Sequence, residues 1–133
     1  MSRYVLDTDT CIYWLKGNKL IEKKIVNAGL ENVCITIITE CELFYGAFKS
    51  SKAERNLQVI DELRGKTTTI HTRPDVAPVF GKKKADLERI GRPLDDADLL
   101  IACLALVTGA TLVTNNTRHF SRISGLKLEN WSL

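Results

Sequence analysis

Apolar and polar positions follow one another along this chain in short blocks that resolve into strands and helices. Tyr4-Val5-Leu6 is a β-favouring apolar run closed by Asp7, and it predicts a buried first strand. Thr8-Asp9-Thr10 offers helix-capping types ahead of Cys11-Ile12-Tyr13-Trp14-Leu15, and Gly17-Asn18 stops that helix. A second helix spans about Leu20 to Ala28 and ends at Gly29. Val33-Cys34-Ile35 reads as the next buried strand, with Thr36 as a cap. Ile38, Cys41, Tyr45 and Phe48 then recur at steps of three and four, which marks one helix face. A further helix covers about Ala53 to Leu63, turning Leu57, Ile60 and Leu63 inward.

Thr67-Thr68-Thr69-Ile70 is a weaker strand candidate. Pro74 and Asp75 open a long helix that reaches about Ile90, where Gly91 is its stop. From Leu99 through Val107 there is no charged residue, so this segment predicts a helix buried on all sides, ended by Gly109. Asp95, Asp96 and Asp98 stand at its head, and Asp96 is taken as the N-cap. Thr111-Leu112-Val113-Thr114 is a strand that turns out at Asn115-Asn116, and Leu126-Lys127-Leu128 is a last short one. Strands alternating with helices predict an α/β fold: a central, mostly parallel sheet flanked by helices. With 133 residues and no linker, repeat or low-complexity tract, residues 1–133 form one domain.

Composition changes this picture little. Apolar residues make up 44% and charged residues 26%, ordinary for a globular protein, which excludes global disorder. No apolar run approaches the roughly 20 residues of a membrane span, and Met1-Ser2-Arg3-Tyr4 leads into too short a run for a secretory leader. A cytoplasmic protein is expected. The four cysteines lack paired spacing, so four reduced, buried thiols are expected rather than a zinc site. The net charge of +3 permits nucleic acid as a partner without demanding it. Lys82-Lys83-Lys84, Arg89, Arg92, Arg118 and Arg122 crowd the second half, a pattern that solvated helix faces also give.

Candidate chemistry lies where the strands end. In an open α/β sheet, ligands collect at the carboxyl ends of the strands. Asp7 closes the first strand, Asn116 follows the strand at Thr111–Thr114, and Asp98 heads the buried helix. Acids converging on an apolar interior repel one another unless a cation joins them, and Mg²⁺ or Mn²⁺ prefers oxygen ligands. Each acid also has a structural reading: Asp7 as a turn, the acids at 95–98 as caps, Glu40 and Glu42 as exposed helix residues. Local pattern leaves open which of Glu40 and Glu42 faces a site. There is no GxSxG elbow, only two histidines, and no phosphate-cradling glycine loop, which speaks against a serine hydrolase and a nucleotide cofactor.

Four strings carry a family resemblance. They are Tyr4 to Ile12 (YVLDTDTCI); Thr36-Ile37-Ile38-Thr39 with Glu42 to Ala47 (ELFYGA); Asp98 to Ala102 (DLLIA); and Leu112 to Asn116 (LVTNN) through Phe120, Gly125-Leu126 and Leu128 to Trp131 (LENW). Together, in this order and over nearly the whole chain, they resemble PIN-domain ribonucleases, and more narrowly the VapC toxins of toxin–antitoxin pairs. The resemblance implies that Asp7, Glu42 and Asp98 bind Mg²⁺ (or Mn²⁺), with Asn116 beside them. It is the resemblance that selects Glu42 over Glu40. His119 departs from it, since relatives carry an acid there, and Asp9 and Asp95 are possible flanking acids.

The implied activity is metal-dependent hydrolysis of RNA phosphodiester bonds, leaving a 5′-phosphate and a 3′-hydroxyl, with transfer RNA the expected substrate class. Thr8 or Thr114 would orient water or phosphate, and Lys82, Lys83, Lys84, Arg118 and Arg122 would grip the RNA backbone. A homodimer inhibited by a VapB-like antitoxin is implied as well. The alternatives are an RNA-binding PIN fold without catalysis, a nuclease acting on DNA, and a phosphatase using the same carboxylates.

Overall fold

The computed structural model describes residues 3–133; Met1 and Ser2, where the leader reading begins, lie outside the described residues. Five strands form one parallel sheet in the order β3-β2-β1-β4-β5, comprising β1 (Tyr4–Leu6), β2 (Val33–Thr36), β3 (Thr68–Ile70), β4 (Thr111–Val113) and β5 (Lys127–Glu129). Seven helices connect or flank them: α1 (Thr8–Leu15), α2 (Lys19–Ala28), α3 (Ile37–Lys49), α4 (Ala53–Lys66), α5 (Val76–Arg89), α6 (Asp96–Thr108) and α7 (Thr117–Phe120). The α/β expectation is borne out, and the sheet is parallel throughout.

Alternation along the strands divides the core into two layers. Val5, Cys34 and Leu112 face α5 and α6, where Leu87, Leu99, Ile101 and Leu104 are buried. Leu6, Val33, Ile35 and Val113 face the other way, onto Cys11, Ile21, Ile25, Leu43, Ile60 and Leu63 from α1 to α4. The central strands β1, β2 and β4 are buried on both faces and read as short apolar runs, whereas the edge strands β3 and β5 are partly exposed. The chain winds from β1 to β3 in one direction and then returns to β4 on the other side of β1. That reversal falls at the carboxyl ends of β1 and β4, where sheets of this kind form the crevice that ligands use.

Several local readings are corrected. α1 starts at Thr8, not Cys11, because Asp7 itself is the N-cap and its side chain accepts from the Thr8 amide. The N-cap of α6 is Asp95, not Asp96: Asp95 has non-helical backbone and accepts from the Ala97 amide at 3.3 Å, whereas Asp96 is already helical. Cys41 is exposed, so three of the four thiols, not all four, are buried. On α3 the inward residues are Thr39, Glu40, Leu43 and Ala47, while Cys41, Tyr45 and Phe48 face solvent. The spacing identifies the helix, and Ile38 packs on the core, but Cys41, Tyr45 and Phe48 lie outside because Thr39 and Glu40, polar residues that periodicity does not count, take inward positions.

Candidate active site

Asp7 is carried to the sheet's carboxyl edge by β1 and is 6% exposed. Its two oxygens are held separately. Oδ1 accepts from the Thr8 amide at 2.9 Å, and Oδ2 accepts from the Thr114 hydroxyl at 2.8 Å across the β1–β4 crevice. Thr114 is itself fixed, since its hydroxyl accepts from the Asn116 amide at 3.0 Å. Asp9 lies one helical step on, and its Oδ2 accepts from the Asn115 amide at 3.2 Å. The turn after β4 is thereby tied to the start of α1.

Glu42 comes from α3. The Thr8 hydroxyl donates to Glu42 Oε1 at 2.6 Å, so Thr8 joins two acids, Asp7 through its amide and Glu42 through its side chain. Thr39 stands beside the same hydroxyl at 3.1 Å and is held by Thr36, the N-cap of α3. Asp98 sits in the first turn of α6, half-buried, with His119 Nε2 at 3.8 Å from its Oδ2.

Burial pushes the Asp7 carboxyl up to about 7, with the negative charges of Asp9 and, more weakly, Asp98 adding to the effect against the hydrogen bonds from Thr114 and Thr8. Asp98 is raised for the same first reason, followed by the charges of Asp95 and Glu42, while His119 works the other way. Thr8 links Asp7 to Glu42, Thr114 lies between Asp7 and Asp9, and Asp98 is near enough for its charge to act on Asp7. Among the described residues no lysine or arginine pairs with any of them. One buried and three partly buried acids, all presenting oxygen, match the chemistry of a hard divalent cation. The side chains converge without closing: among the described residues no three His, Cys, Asp or Glu groups already stand at metal-chelating spacing. Asp7 and Glu42 are instead each held by hydrogen bonds from Thr8 and Thr114.

The remaining nominated residues divide. Glu40 points away from this locus; it is buried against Arg64, whose Nε lies 2.7 Å from Oε1, and Thr69 donates to its other oxygen. Asn116 is exposed at the head of α7, beside the crevice. Asp95 caps α6 and is exposed. Lys82 is paired with Asp86 and Lys84 with Asp96, and Lys83 donates to Ser124. Arg122 donates to the Pro93 carbonyl, and Arg118 is exposed.

A groove of about 480 Å³ opens from Glu42 between α1, α3 and α4, floored by Ile12, Leu15, Leu43 and Val59 and rimmed by Lys16, Lys52 and Arg55. Sequence reading missed these three cations because Lys16 ends α1 while Lys52 and Arg55 open α4, so they form no run. It also left Thr8 undecided between cap and ligand. The tell-tale was there: a threonine directly after the strand's acid, with a second threonine in the string Thr36-Ile37-Ile38-Thr39.

The PIN domain family matches residues 4–126 of the chain. The ribonuclease VapC2 of Haemophilus influenzae is 38% identical over 98% of this chain and 99% of its own length. The tRNA(fMet)-specific endonuclease VapC of Shigella flexneri is 38% identical over 99% of this chain and all of its own. Among solved structures, VapBC from Salmonella typhimurium bound to DNA aligns with a TM-score of 0.92 at 37% identity, covering 98% of this chain and 99% of the matched one. The four acids at one sheet edge, the five-stranded parallel fold and these full-length similarities lead to one assignment: the chain belongs to the PIN-domain family, among its VapC ribonucleases.

Proposed function

We propose that this protein is the toxin of a VapBC-type toxin–antitoxin pair, an endoribonuclease that hydrolyses RNA phosphodiester bonds with the help of Mg²⁺ or Mn²⁺. What supports the reading is that Thr8 ties Asp7 to Glu42 and that the charge of Asp98 acts on Asp7, while among the described residues no lysine or arginine pairs with any of the three. Asp7, Glu42 and Asp98 would hold the cation, with Asp9 adding negative potential. When bound, such an ion lowers the pKa of a coordinated water and offsets charge building on the phosphate.

The protein's own part is positional. The Thr114 hydroxyl and the Thr8 amide each hold one oxygen of Asp7, and the Thr8 hydroxyl holds Glu42. Neither acid must be ordered at the moment of reaction, which is where preorganised polar groups gain their effect. Asn116, exposed beside Thr114, is placed to meet the RNA chain. Water enters the phosphodiester, and the products are a 5′-phosphate and a 3′-hydroxyl.

Transfer RNA is the substrate class within this proposal, supported by the name of the Shigella relative. A VapB-like antitoxin is the partner, supported by the VapBC complexes among its structural relatives. An apolar groove with a cationic rim beside Glu42 suits an acidic amphipathic segment. A homodimer and a cytoplasmic site of action complete the reading; Tyr45 and Phe48, 67% and 69% exposed on α3, leave aromatic surface that a second copy would cover. No helix among the described residues is long and apolar enough to cross a membrane.

The test is digestion of total transfer RNA, single-stranded DNA and a small phosphoester side by side, with Mg²⁺, with Mn²⁺ and with EDTA. RNA cleavage that needs the metal and is lost in Asp7→Asn, Glu42→Gln and Asp98→Asn is expected. Cleavage that survives EDTA or any of these variants overturns the proposal, as does exclusive action on DNA or on the phosphoester.

A further inference from the structure

His119 departs from the acid expected at its position, and its surroundings give it work to do. α7 brings the imidazole to the mouth of the crevice. Its backbone amide donates to the Asn116 carbonyl at 3.1 Å, and its ring stands edge-on to Phe120, with centroids 5.7 Å apart. Phe120 is buried in the core, so the ring rests on a fixed support. Neither ring nitrogen hydrogen-bonds to any other described residue. Nε2 lies 3.8 Å from Asp98 Oδ2, with the two side chains 27% and 31% exposed.

That separation is too long for a direct hydrogen bond, and it accommodates one oxygen at roughly 2.8 Å from each atom. A bare nitrogen lone pair aimed at a carboxylate would be repelled, so the hydrogen belongs on Nε2, which makes the ring a donor into the crevice. An oxygen between the two groups accepts from Nε2–H. If it is a hydroxyl, it also donates to Asp98.

We propose that His119 is a substrate-positioning residue that donates from Nε2 to a backbone oxygen of the RNA at the cleaved nucleotide. This rests on the ribonuclease reading above. The chemistry has two sources, the 2′-hydroxyl and a non-bridging phosphate oxygen. A hydroxyl alone satisfies both His119 and Asp98, and it is also the group that separates RNA from DNA.

The experiment uses an oligoribonucleotide spanning a site that the wild type cuts in total transfer RNA, compared across His119→Phe and His119→Gln. Phenylalanine keeps the edge contact with Phe120 and removes the donor; glutamine places an amide donor near Nε2. His119→Phe should lower kcat/KM about 10- to 100-fold, the usual effect of losing one such bond to an anion-rich substrate. His119→Gln should restore most of it, and the two variants should melt alike.

A 2′-deoxy substitution at the cleaved nucleotide identifies the oxygen. If it slows the wild type but not His119→Phe any further, the partner is the 2′-hydroxyl. If the two losses multiply, the partner is the phosphate. Wild-type rates in His119→Phe, or a His119→Gln no better than His119→Phe, overturn the proposal. Failure of the wild type to cut any RNA refutes the ribonuclease reading instead.

Discussion

At the scale of single residues, the site is built at the expense of stability. Asp7 is held at about 7 in the fold against 3.8 when free, first because it is buried and then because Asp9 faces it. The folded protein therefore binds this proton more tightly than the unfolded chain does. Stability should fall as pH rises from about 4 to about 7, by an amount on the order of a few kcal/mol. In EDTA, the wild type should lose several degrees of Tm between pH 5 and pH 8 that Asp7→Asn does not lose. Equal slopes in the two proteins would show that Asp7 ionises freely.

Glu40 and Glu42 offer the complementary comparison. Glu40 is buried against Arg64 and Thr69, so Glu40→Ala should cost roughly 1–3 kcal/mol in urea unfolding and leave kcat/KM for RNA within a few fold. Glu42→Gln should abolish cleavage with Tm nearly unchanged. These two acids stand two residues apart, and no local pattern separates them. What separates them is where Arg64, Thr69 and Thr8 arrive from elsewhere in the chain.

At the scale of elements, the periodic signals that were long and unmixed were read well. α6 has no charge between Leu99 and Val107 and is buried where the chain predicts. Gly109, with φ of 69°, ends it in the left-handed region as expected. Leu104, fully buried between the sheet and α5, should cost about 2–5 kcal/mol when cut to alanine, measured by urea unfolding. The same reasoning misjudged α3, where a helix carries aromatics outward and threonines inward. Thr36 and Thr39 are buried without penalty because each finds a hydroxyl or amide partner, and those partners come partly from α1. Hydrophobicity along one segment does not register such distant satisfaction. α7 went unread for a different reason: four residues are too few to show a period.

At the scale of the whole molecule, what the chain states only indirectly is who meets whom. The strand order that places β4 beside β1 brings Thr114 to Asp7, with Asp98 of α6 near the same edge, and it follows from topology, not from any local motif. The same is true of the cations. The lysine run at 82–84 is conspicuous in the sequence, yet two of its members are paired with Asp86 and Asp96 and the third with Ser124. Lys16, Lys52 and Arg55 rim the groove that opens from Glu42, and among the described residues none of them pairs with an acid. An anionic chain approaching the acidic site needs a grip near it, and these three, with the exposed Arg118 of α7, are charges that pair with no acid among the described residues. Arg55→Glu should therefore raise KM for RNA severalfold with kcat retained, and should flatten the dependence of KM on salt by about one in logarithmic slope. Lys82→Glu should do neither, since its charge is already matched by Asp86. Steady-state cleavage across a salt series distinguishes the two; an equal response would mean that the lysine run, not the groove rim, holds the substrate. An acidic segment seated in the groove would compete with RNA for the same rim, so Arg55→Glu should weaken antitoxin binding in parallel.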